Sequence, residues 1–302
     1  MSEKVIAVKS LTKDYGNGHG IFDLNFEIEK GETFGFVGTN GSGKTTTIRH
    51  IMGFLKPDKG SVKVCGLDAW LEGSEIKKKV EYVPGEIAFP DLKDGRTFLK
   101  SQAELLGISD MNYAEELIKK LQLDTRANLK RMSKGMKQKT AIVSALMADK
   151  DILILDEPTT GLDPLMRDTF LEIIKEEKAK GKTILMSSQM FEELESTCDR
   201  VALIFNGKIV DIADIHKLKN QNNSILKVEF EKKGDFEEVK RMNFDIVRVQ
   251  EQYNQLTIKI SNDKLNQMFN LLKNYNLKYI ACEEFNLEKY FKAILLKGGE
   301  NV

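Results

Sequence analysis

The sequence predicts an α/β fold with a largely parallel sheet, followed by a smaller α+β domain. Apolar strand patterns at Ile152–Leu155, Thr183–Ser187 and Val201–Ile204 occur with the helical pattern "TFLEIIKEEKAKG" between the first two. This spacing implies right-handed crossover connections and therefore parallel strands. A polar, Asn-rich stretch, "KLKNQNNS" (217–224), separates these patterns from a run of shorter ones, so we expect a linker there.

The first domain is expected to cover residues 1–220. Four strand patterns separated by Gly, Asp and Asn turns open it: Val5–Val8, Ile21–Ile28, Thr33–Val37 and Ser61–Val64. The pattern then becomes helical, as in "NYAEELIKKLQL", where apolar residues recur at spacings of three and four. We therefore expect a helical insertion at about 91–148 before the strands return.

The second domain is expected at 224–302. Its strand patterns are "SILKVEF", "FDIVRVQ", "NQLTIKI" and "KYIACEEF", and its helical patterns lie at Lys264–Lys273 and Leu287–Leu296. This composition of elements predicts a compact α+β domain with a ferredoxin-like arrangement.

The composition restricts the classes of partner. The 302 residues contain 46 Lys and Arg and 46 Asp and Glu, so no net charge favours nucleic acid, and we expect no nucleic-acid partner. Three cysteines and three histidines are scattered without metal-ligand spacing, which is typical of a chain in the reducing cytoplasm. The N-terminus lacks a signal-peptide pattern and no apolar run is long enough to span a bilayer.

The most specific motif is "GTNGSGKTT", which matches the P-loop pattern G-x-x-x-x-G-K-[ST] between an apolar strand and a helix. Its glycines let backbone N–H groups surround phosphate oxygens at the start of the helix. Lys44 is expected at the β- and γ-phosphates and Thr45 at the magnesium ion. The predicted nucleotide-binding residues of the motif are Gly38, Thr39, Asn40, Gly41, Ser42, Gly43, Lys44, Thr45 and Thr46. The fold prediction thus becomes a P-loop NTPase core with a helical insertion and a small C-terminal α+β domain.

The second motif is "DILILDEP", an apolar strand that ends in two carboxylates. At the carboxyl end of a central strand both side chains can reach the phosphate site. We expect Asp156 to bind magnesium, and Glu157 to be the catalytic group that polarises the attacking water.

A third stretch, "KTILMSSQMF", is a buried strand that ends in two serines and an amide. Ligands of parallel sheets bind outside the carboxyl ends of the strands, so these polar groups are candidates for contact with a ligand. Gln189 is the candidate catalytic residue; the alternative is that it caps the helical segment that follows.

The stretch "MSKGMKQKTAIVSALM", shortly before the acidic strand, distinguishes among nucleotide hydrolases. It resembles the signature helix of ABC-type ATPases, which opens with L-S-G-G-Q: Ser133 and Gly135 match, whereas Lys134 and Met136 depart from the usual Gly and Gln. No N-K-x-D motif for guanine is present. The resemblance continues in "LTKDYG", where Tyr15 matches the aromatic residue that stacks on adenine, and in "TTGLDP", which resembles the D-loop. It covers about residues 3–218.

This resemblance implies an ATP-binding subunit with ATP and Mg²⁺ as cofactors. A helix N-terminus with Ser and Gly is itself a second anion site, which suggests that two chains enclose two nucleotides head to tail. Ser133 and Gly135 would then contact the γ-phosphate bound to the other subunit, and Asp163 would contact that subunit. The family implies integral membrane permease subunits as partners, a homo- or heterodimer, and a location at the cytoplasmic face of the cell membrane.

Two positions depart from the family. A Gln that contacts magnesium usually ends the strand after the P-loop helix, and "EYVPGEIAFP" has Gly85 there with Glu86 next to it. Glu86 either takes over the metal contact or is an exposed loop carboxylate. Gln189 lies where the family has a histidine that contacts the γ-phosphate; an amide can donate a hydrogen bond but cannot carry the charge or the proton.

The leading hypothesis is ATP hydrolysis that energises the export of a peptide, antibiotic or lipid-like substrate through separate membrane subunits. Gln189 supports an alternative, a regulatory ATP-binding subunit that hydrolyses little and dimerises with a competent partner. A soluble ABC protein of translation or DNA repair is a weaker alternative, because the sequence has one P-loop and no long coiled coil.

Overall fold

A computed structural model of the chain describes residues 3–220, 223–283 and 285–297. The chain divides into two compact units. The first runs to Asp214 and resumes at Leu287, and the second comprises Ile215–Asn286. This division differs from the expected one, because the final helix belongs to the first unit rather than to the small domain.

In the described residues up to Asp214, the first unit contains ten strands and seven α-helices. Its strands are β1 (Lys4–Gly16), β2 (His19–Glu29), β3 (Thr33–Val37), β4 (Lys59–Val64), β5 (Leu67–Asp68), β6 (Val80–Val83), β7 (Ile152–Asp156), β8 (Thr183–Ser188), β9 (Arg200–Phe205) and β10 (Lys208–Asp214). Its helices in this part are α1 (Lys44–Ile51), α2 (Gly73–Lys79), α3 (Gly95–Leu106), α4 (Asn112–Lys120), α5 (Lys134–Leu146), α6 (Pro164–Ala179) and α7 (Phe191–Thr197).

The larger sheet carries the predicted site. Its strand order is β10-β9-β3-β8-β7-β6, and all neighbours from β9 to β6 are parallel. Every residue of β3, β7 and β8 is buried, as expected for central strands of a parallel sheet. Because these strands are parallel neighbours, their last residues, Val37, Asp156 and Ser188, lie at one edge of the sheet. The predicted α/β fold is confirmed.

A second sheet, β2-β1-β4-β5, is antiparallel and shares its core with the first. Phe26 of β2 packs against Phe34 and Phe36 of β3, with ring centroids 5.6 and 5.1 Å apart. All three rings are buried. This aromatic contact between sheets places β2 and the hairpin before it beside the strand that leads into the P-loop.

Helices α3, α4 and α5 lie between β6 and β7, as the expected helical insertion at 91–148 requires. Tyr113 of α4 donates a hydrogen bond to the fully buried Glu177 of α6, and Lys182 forms an ion pair with the same carboxylate. Burial of a carboxylate is unfavourable unless it is paired, so this cluster fixes the insertion against the core through specific contacts.

The described part of the second unit has four strands and three α-helices: α8 (Ile215–Lys219), β11 (Asn223–Phe230), α9 (Lys233–Lys240), β12 (Asp245–Gln250), β13 (Gln255–Ser261), α10 (Leu265–Leu272) and β14 (Leu277–Glu283). The sheet order β12-β13-β11-β14 is antiparallel throughout. After α8 the elements follow the β-α-β-β-α-β order of the ferredoxin-like arrangement that we expected.

The last described helix is α11 (Leu287–Lys297). The N–H of Leu287 donates to Glu195 at 2.9 Å, and the hydroxyl of Tyr290 donates to Asp211 at 2.8 Å. Phe291 is fully buried and lies 6.2 Å from Phe191 of α7, measured between ring centroids. These contacts explain why α11 joins the first unit. Among the described helices, none combines the length and the apolar character needed to cross a bilayer.

Candidate functional site

The P-loop connects β3 to α1 and has the backbone that its glycines allow. Gly43 precedes α1 with φ of 113°, a conformation that side-chain-bearing residues rarely adopt. A Cβ at Gly43 would lie 2.5 Å from Ile21, and a Cβ at Gly38 would lie 2.3 Å from the carbonyl oxygen of Ile204. Both glycines are therefore needed for the loop to lie this close to β2 and β9.

Lys44 is buried at the mouth of this loop. Its ammonium donates to the carbonyl oxygens of Gly38 and Thr39 at 2.7 and 3.1 Å and lies 3.3 Å from Oε1 of Glu157. A buried ammonium needs such partners. The contact with Glu157 brings the P-loop and the acidic strand end together, as the two motifs predicted.

Asp156 is fully buried at the end of β7. Burial raises the pKa of its carboxyl, while the hydroxyls of Ser187 and Thr45 act in the opposite direction. The hydroxyl of Ser187 donates a hydrogen bond to Oδ1 of Asp156 at 2.7 Å. The other carboxylate oxygen, Oδ2, accepts no hydrogen bond from the residues that the structure describes. A buried, unpaired carboxylate oxygen near the Thr45 hydroxyl fits Mg²⁺, which takes hard oxygen ligands.

Glu157 has a left-handed backbone with φ of 48°, which is uncommon for a residue with a side chain. Its N–H donates to Ser187 Oγ at 2.9 Å, so one serine holds both acidic residues. Strained backbone of this kind persists where the surroundings fix it and is frequent at functional sites. Here it turns the Glu157 side chain toward Lys44.

The polar residues at the end of β8 differ in burial. Ser187 and Ser188 are buried, whereas Gln189 is exposed and its amide donates to Oε2 of Glu157 at 2.9 Å. The capping interpretation of Gln189 does not match the geometry, because Met190 is the N-cap of α7 and no side chain caps that helix.

One cleft brings the P-loop residues from Asn40 to Thr46 together with Glu157. Gly38, Thr39, Asp156 and Gln189, which were also predicted site residues, do not line it. Gly38, Thr39 and Gln189 line a second pocket, which shares Asn40 with the cleft. The cleft is lined by Tyr15, His19, Gly20, Glu157 and the P-loop from Asn40 to Thr46. Tyr15 is 54% exposed and lines the cleft, so its side chain is accessible to a ligand there. His19 and Gly20 were not anticipated. The sequence feature that indicates these two residues is the "GNGHG" turn directly after Tyr15. This turn reaches the P-loop only because β1 and β2 form a hairpin.

Ser133, Gly135 and Asp163 do not line this cleft. Ser133 is the N-cap of α5 and accepts from the N–H of Met136 at 3.3 Å, and Asp163 is the N-cap of α6. A Cβ at Gly135 would lie 2.5 Å from the carbonyl oxygen of Gly161, so the start of α5 packs directly on the loop before Asp163. The start of α5 and the loop before α6 therefore pack on each other outside this cleft.

Of the two residues at the position of the family's usual Gln, Gly85 lies next to the carboxylate of Asp156 and Glu86 is exposed. A Cβ at Gly85 would lie 3.5 Å from Oδ2 of Asp156, so Gly85 borders the candidate metal position. Glu86 is exposed, and its carboxylate makes no hydrogen bond or ion pair with any residue that the structure describes. This geometry favours the exposed-loop interpretation of Glu86 over the metal contact.

The ABC transporter family matches residues 21–160, which contain the P-loop, Asp156 and Glu157. The chain is also 30% identical to the bacitracin transport ATP-binding protein BcrA of Bacillus licheniformis over 99% of both chains. The chain belongs to the ABC transporter ATP-binding subunits. Subunits of this family bind ATP and are ATPases that energise transport together with membrane permease components, and this ABC subunit shares that activity.

Further relatives agree with this assignment. The ABC subunit is 33% identical to the linearmycin resistance ATP-binding protein LnrL of Bacillus subtilis, over 69% of this chain and 68% of the relative. A solved ATP-binding subunit of an ABC transporter aligns with a TM-score of 0.64 at 30% identity, over 72% of this chain and 92% of the other. A bacterial Atm1-family ABC exporter with ATP bound aligns with a TM-score of 0.63 at 17% identity, over 72% and 39%, which supports the fold.

Proposed function

We propose that this subunit hydrolyses Mg²⁺-bound ATP at the cleft of Lys44 and Glu157 and thereby energises export through separate membrane subunits at the cytoplasmic face of the membrane. The observation that carries the proposal is the shared carboxylate of Glu157, which contacts Lys44 on one oxygen and Gln189 on the other. A phosphate-binding cation, a carboxylate and an amide donor are thus assembled in one place.

Each residue has a role that follows from its chemistry. Lys44 and the backbone N–H groups of the P-loop bind the phosphates, and Tyr15 supplies an aromatic face for the base. Thr45 and Asp156 hold Mg²⁺, which neutralises phosphate charge when it is bound. Glu157 accepts a proton from the attacking water, and Gln189 orients the γ-phosphate and that water through its amide.

We propose a head-to-tail dimer, homo- or heteromeric, in which Ser133, Gly135 and Asp163 act on the second subunit's site. Support comes from their grouping at the starts of α5 and α6, outside the cleft of their own chain. A helix N-terminus attracts phosphate, so the start of α5 can complete a site on another chain.

The proposed substrate is a peptide, antibiotic or lipid-like compound moved outward. The support is the relatives' names, which specify bacitracin transport, linearmycin resistance and Nod factor export. A second candidate function is a regulatory subunit with little hydrolysis, which Gln189 supports because an amide cannot carry the charge of the family's usual histidine.

The test compares Lys44→Ala with Lys63→Ala, which changes an exposed strand residue. We expect Lys44→Ala to abolish ATP hydrolysis by the full chain and to remove resistance to bacitracin and linearmycin in cells that depend on this transporter. Lys63→Ala should preserve both. Full turnover in Lys44→Ala would exclude the proposed site, and lost turnover with unchanged resistance would exclude bacitracin and linearmycin as the exported compounds.

A further inference from the structure

Glu193 is a buried carboxylate on α7 that none of the motifs includes. Its side chain is 2% exposed, and Oε2 accepts two hydrogen bonds, from Ser188 Oγ at 2.6 Å and from Thr159 Oγ1 at 3.0 Å. The two donors are 29 residues apart in the chain: Thr159 lies in the loop after β7, and Ser188 is the last residue of β8. One oxygen therefore connects the segment after β7 with the end of β8.

These two donors flank the reactive pair. Thr159 lies two residues after Glu157, and Ser188 immediately precedes Gln189. Ser188 Oγ also accepts from the N–H of Met190 at 2.9 Å, which closes a turn around Gln189. The backbone on both sides of the contact between Gln189 and Glu157 is thus tied to one carboxylate.

Packing alone does not explain why the side chain at position 193 is a carboxylate. Nε of Arg167 lies 3.4 Å from Oε1, but neither atom completes a hydrogen bond with the described residues. Arg167 is half-buried and Glu193 is buried. An ion pair removed from water in this way adds little stability compared with well-packed apolar side chains, and its best-attested use is to fix a specific arrangement. A carboxylate is suited to that use because one oxygen can accept from two hydroxyls at once.

We propose that Glu193 is a positioning residue for ATP hydrolysis. It holds the loop of Glu157 and the loop of Gln189 at the separation at which the Gln189 amide reaches Oε2 of Glu157. The inference rests on the proposed function, since it concerns the geometry of the same site. Glu193 acts through Thr159 and Ser188 and does not contact the reacting atoms itself.

The test variant removes one hydrogen bond to the Glu193 carboxylate and keeps the carboxylate itself. Thr159→Val keeps the shape of the side chain and deletes the donor to Glu193. We expect the kcat of the full chain to fall about tenfold, the effect of losing an interaction that orients reacting groups, while the Kd for ATP stays within about twofold. In a Gln189→Ala background the same substitution should lower kcat no further, because the contact that it positions is already absent.

Thr197→Val is the matched control. Thr197 is also a buried threonine next to Glu193, but its hydroxyl donates to the Glu193 carbonyl oxygen at 2.7 Å and not to the carboxylate. We expect this variant to keep the parent kcat, whatever its melting temperature. A purely structural role of Thr159 would instead lower kcat by the same factor in both backgrounds, and that result would overturn the positioning role alone. A parent chain without ATP turnover would overturn the proposed function together with it.

Discussion

The amide of Gln189 donates to Oε2 of Glu157 at 2.9 Å, while the other oxygen of the same carboxylate lies 3.3 Å from the ammonium of Lys44. Glu157 is therefore held on both oxygens in this arrangement. Since Gln189 can donate a hydrogen bond but cannot accept and return a proton at neutral pH, Glu157 is the one of these two side chains that can take a proton from the attacking water. The separate roles of Glu157 and Gln189 can be tested with single substitutions.

Gln189→Ala should slow hydrolysis without abolishing it. Losing a hydrogen bond costs about 0.5–1.5 kcal/mol between neutral groups and about 1.5–3 kcal/mol when one group is charged. The charged range applies, because Gln189 donates to a carboxylate, and at about 1.4 kcal/mol per tenfold it corresponds to a fall in kcat of roughly tenfold to a hundredfold. The affinity for ATP should stay nearly unchanged. Steady-state hydrolysis by the parent and the variant checks this, and equal rates would show that Gln189 takes no part.

Gln189→His separates the leading function from the regulatory one. The family's usual side chain returns to its position, so we expect the rate of hydrolysis to be preserved or raised. The measurement is the same assay, with Gln189→Ala as the control. A parent chain without turnover that gains it through Gln189→His would establish the regulatory subunit in place of the active ATPase.

Glu157→Gln should bind ATP and nearly stop turnover. The substitution keeps the shape of the side chain and removes the general base, whose contribution is typically about 10²- to 10⁴-fold. Two bound nucleotides should then hold a closed dimer, seen as an ATP- and Mg²⁺-dependent doubling of mass in light scattering. The double variant with Lys44→Ala should remain monomeric under the same conditions. A Glu157→Gln chain that binds ATP and stays monomeric would contradict the head-to-tail dimer.

Tyr15→Ala should weaken ATP binding by about 1–3 kcal/mol, the usual worth of an aromatic side chain stacked on a base. The exposed ring lines the same cleft as the P-loop, which is the geometric reason for the expectation. Tyr15→Phe keeps the ring and should keep the affinity, so the pair separates stacking from the hydroxyl. Calorimetric titration with ATP measures both, and an unchanged Kd for Tyr15→Ala would assign stacking to another residue.

Asp156→Asn should raise the melting temperature of the nucleotide-free chain at pH 7. The pKa of Asp156 is raised above its ordinary 3.8 mainly by burial, so its ionised form destabilises the folded chain above that pH. The gain should shrink as the pH falls toward 3.8 and vanish below that pH, where folded and unfolded chains both carry the proton. Stabilisation by ATP with Mg²⁺ should be lost in the variant, because the metal-binding carboxylate is absent. Calorimetric melting between pH 4 and 7 tests both parts; a variant that melts below the parent at pH 7 would refute the first.

The sequence predicted the elements of this fold well where one local rule was sufficient. The continuous apolar run of β7 and the P-loop spacing specify a buried parallel strand and a phosphate site with no knowledge of the rest of the chain. The ferredoxin-like sheet was also predictable, because its strands alternate apolar and polar residues. Helix α9 was missed, since Phe236 and Val239 are the only two buried side chains in its eight residues.

The remaining features depend on contacts between distant segments. Glu193 lies in an ordinary amphipathic helix, and nothing in its neighbourhood indicates that Thr159 and Ser188 meet on its carboxylate. His19 enters the cleft only because the hairpin of β1 and β2 folds against the P-loop. The placement of α11 depends on Phe291 and Tyr290 finding partners on α7 and β10, which the helical pattern alone cannot specify.

The interruption of the first unit between Asp214 and Leu287 has a practical consequence for dissecting this protein. Truncation after residue 220 would remove α11 as well and expose the apolar surface around Phe191 that this helix covers. A deletion variant that joins Asp214 to Leu287 through a short flexible linker would remove the ferredoxin-like unit and keep α11. Conversely, a single protease cut within 215–286 leaves two fragments of one folding unit, which should copurify until a denaturant separates them.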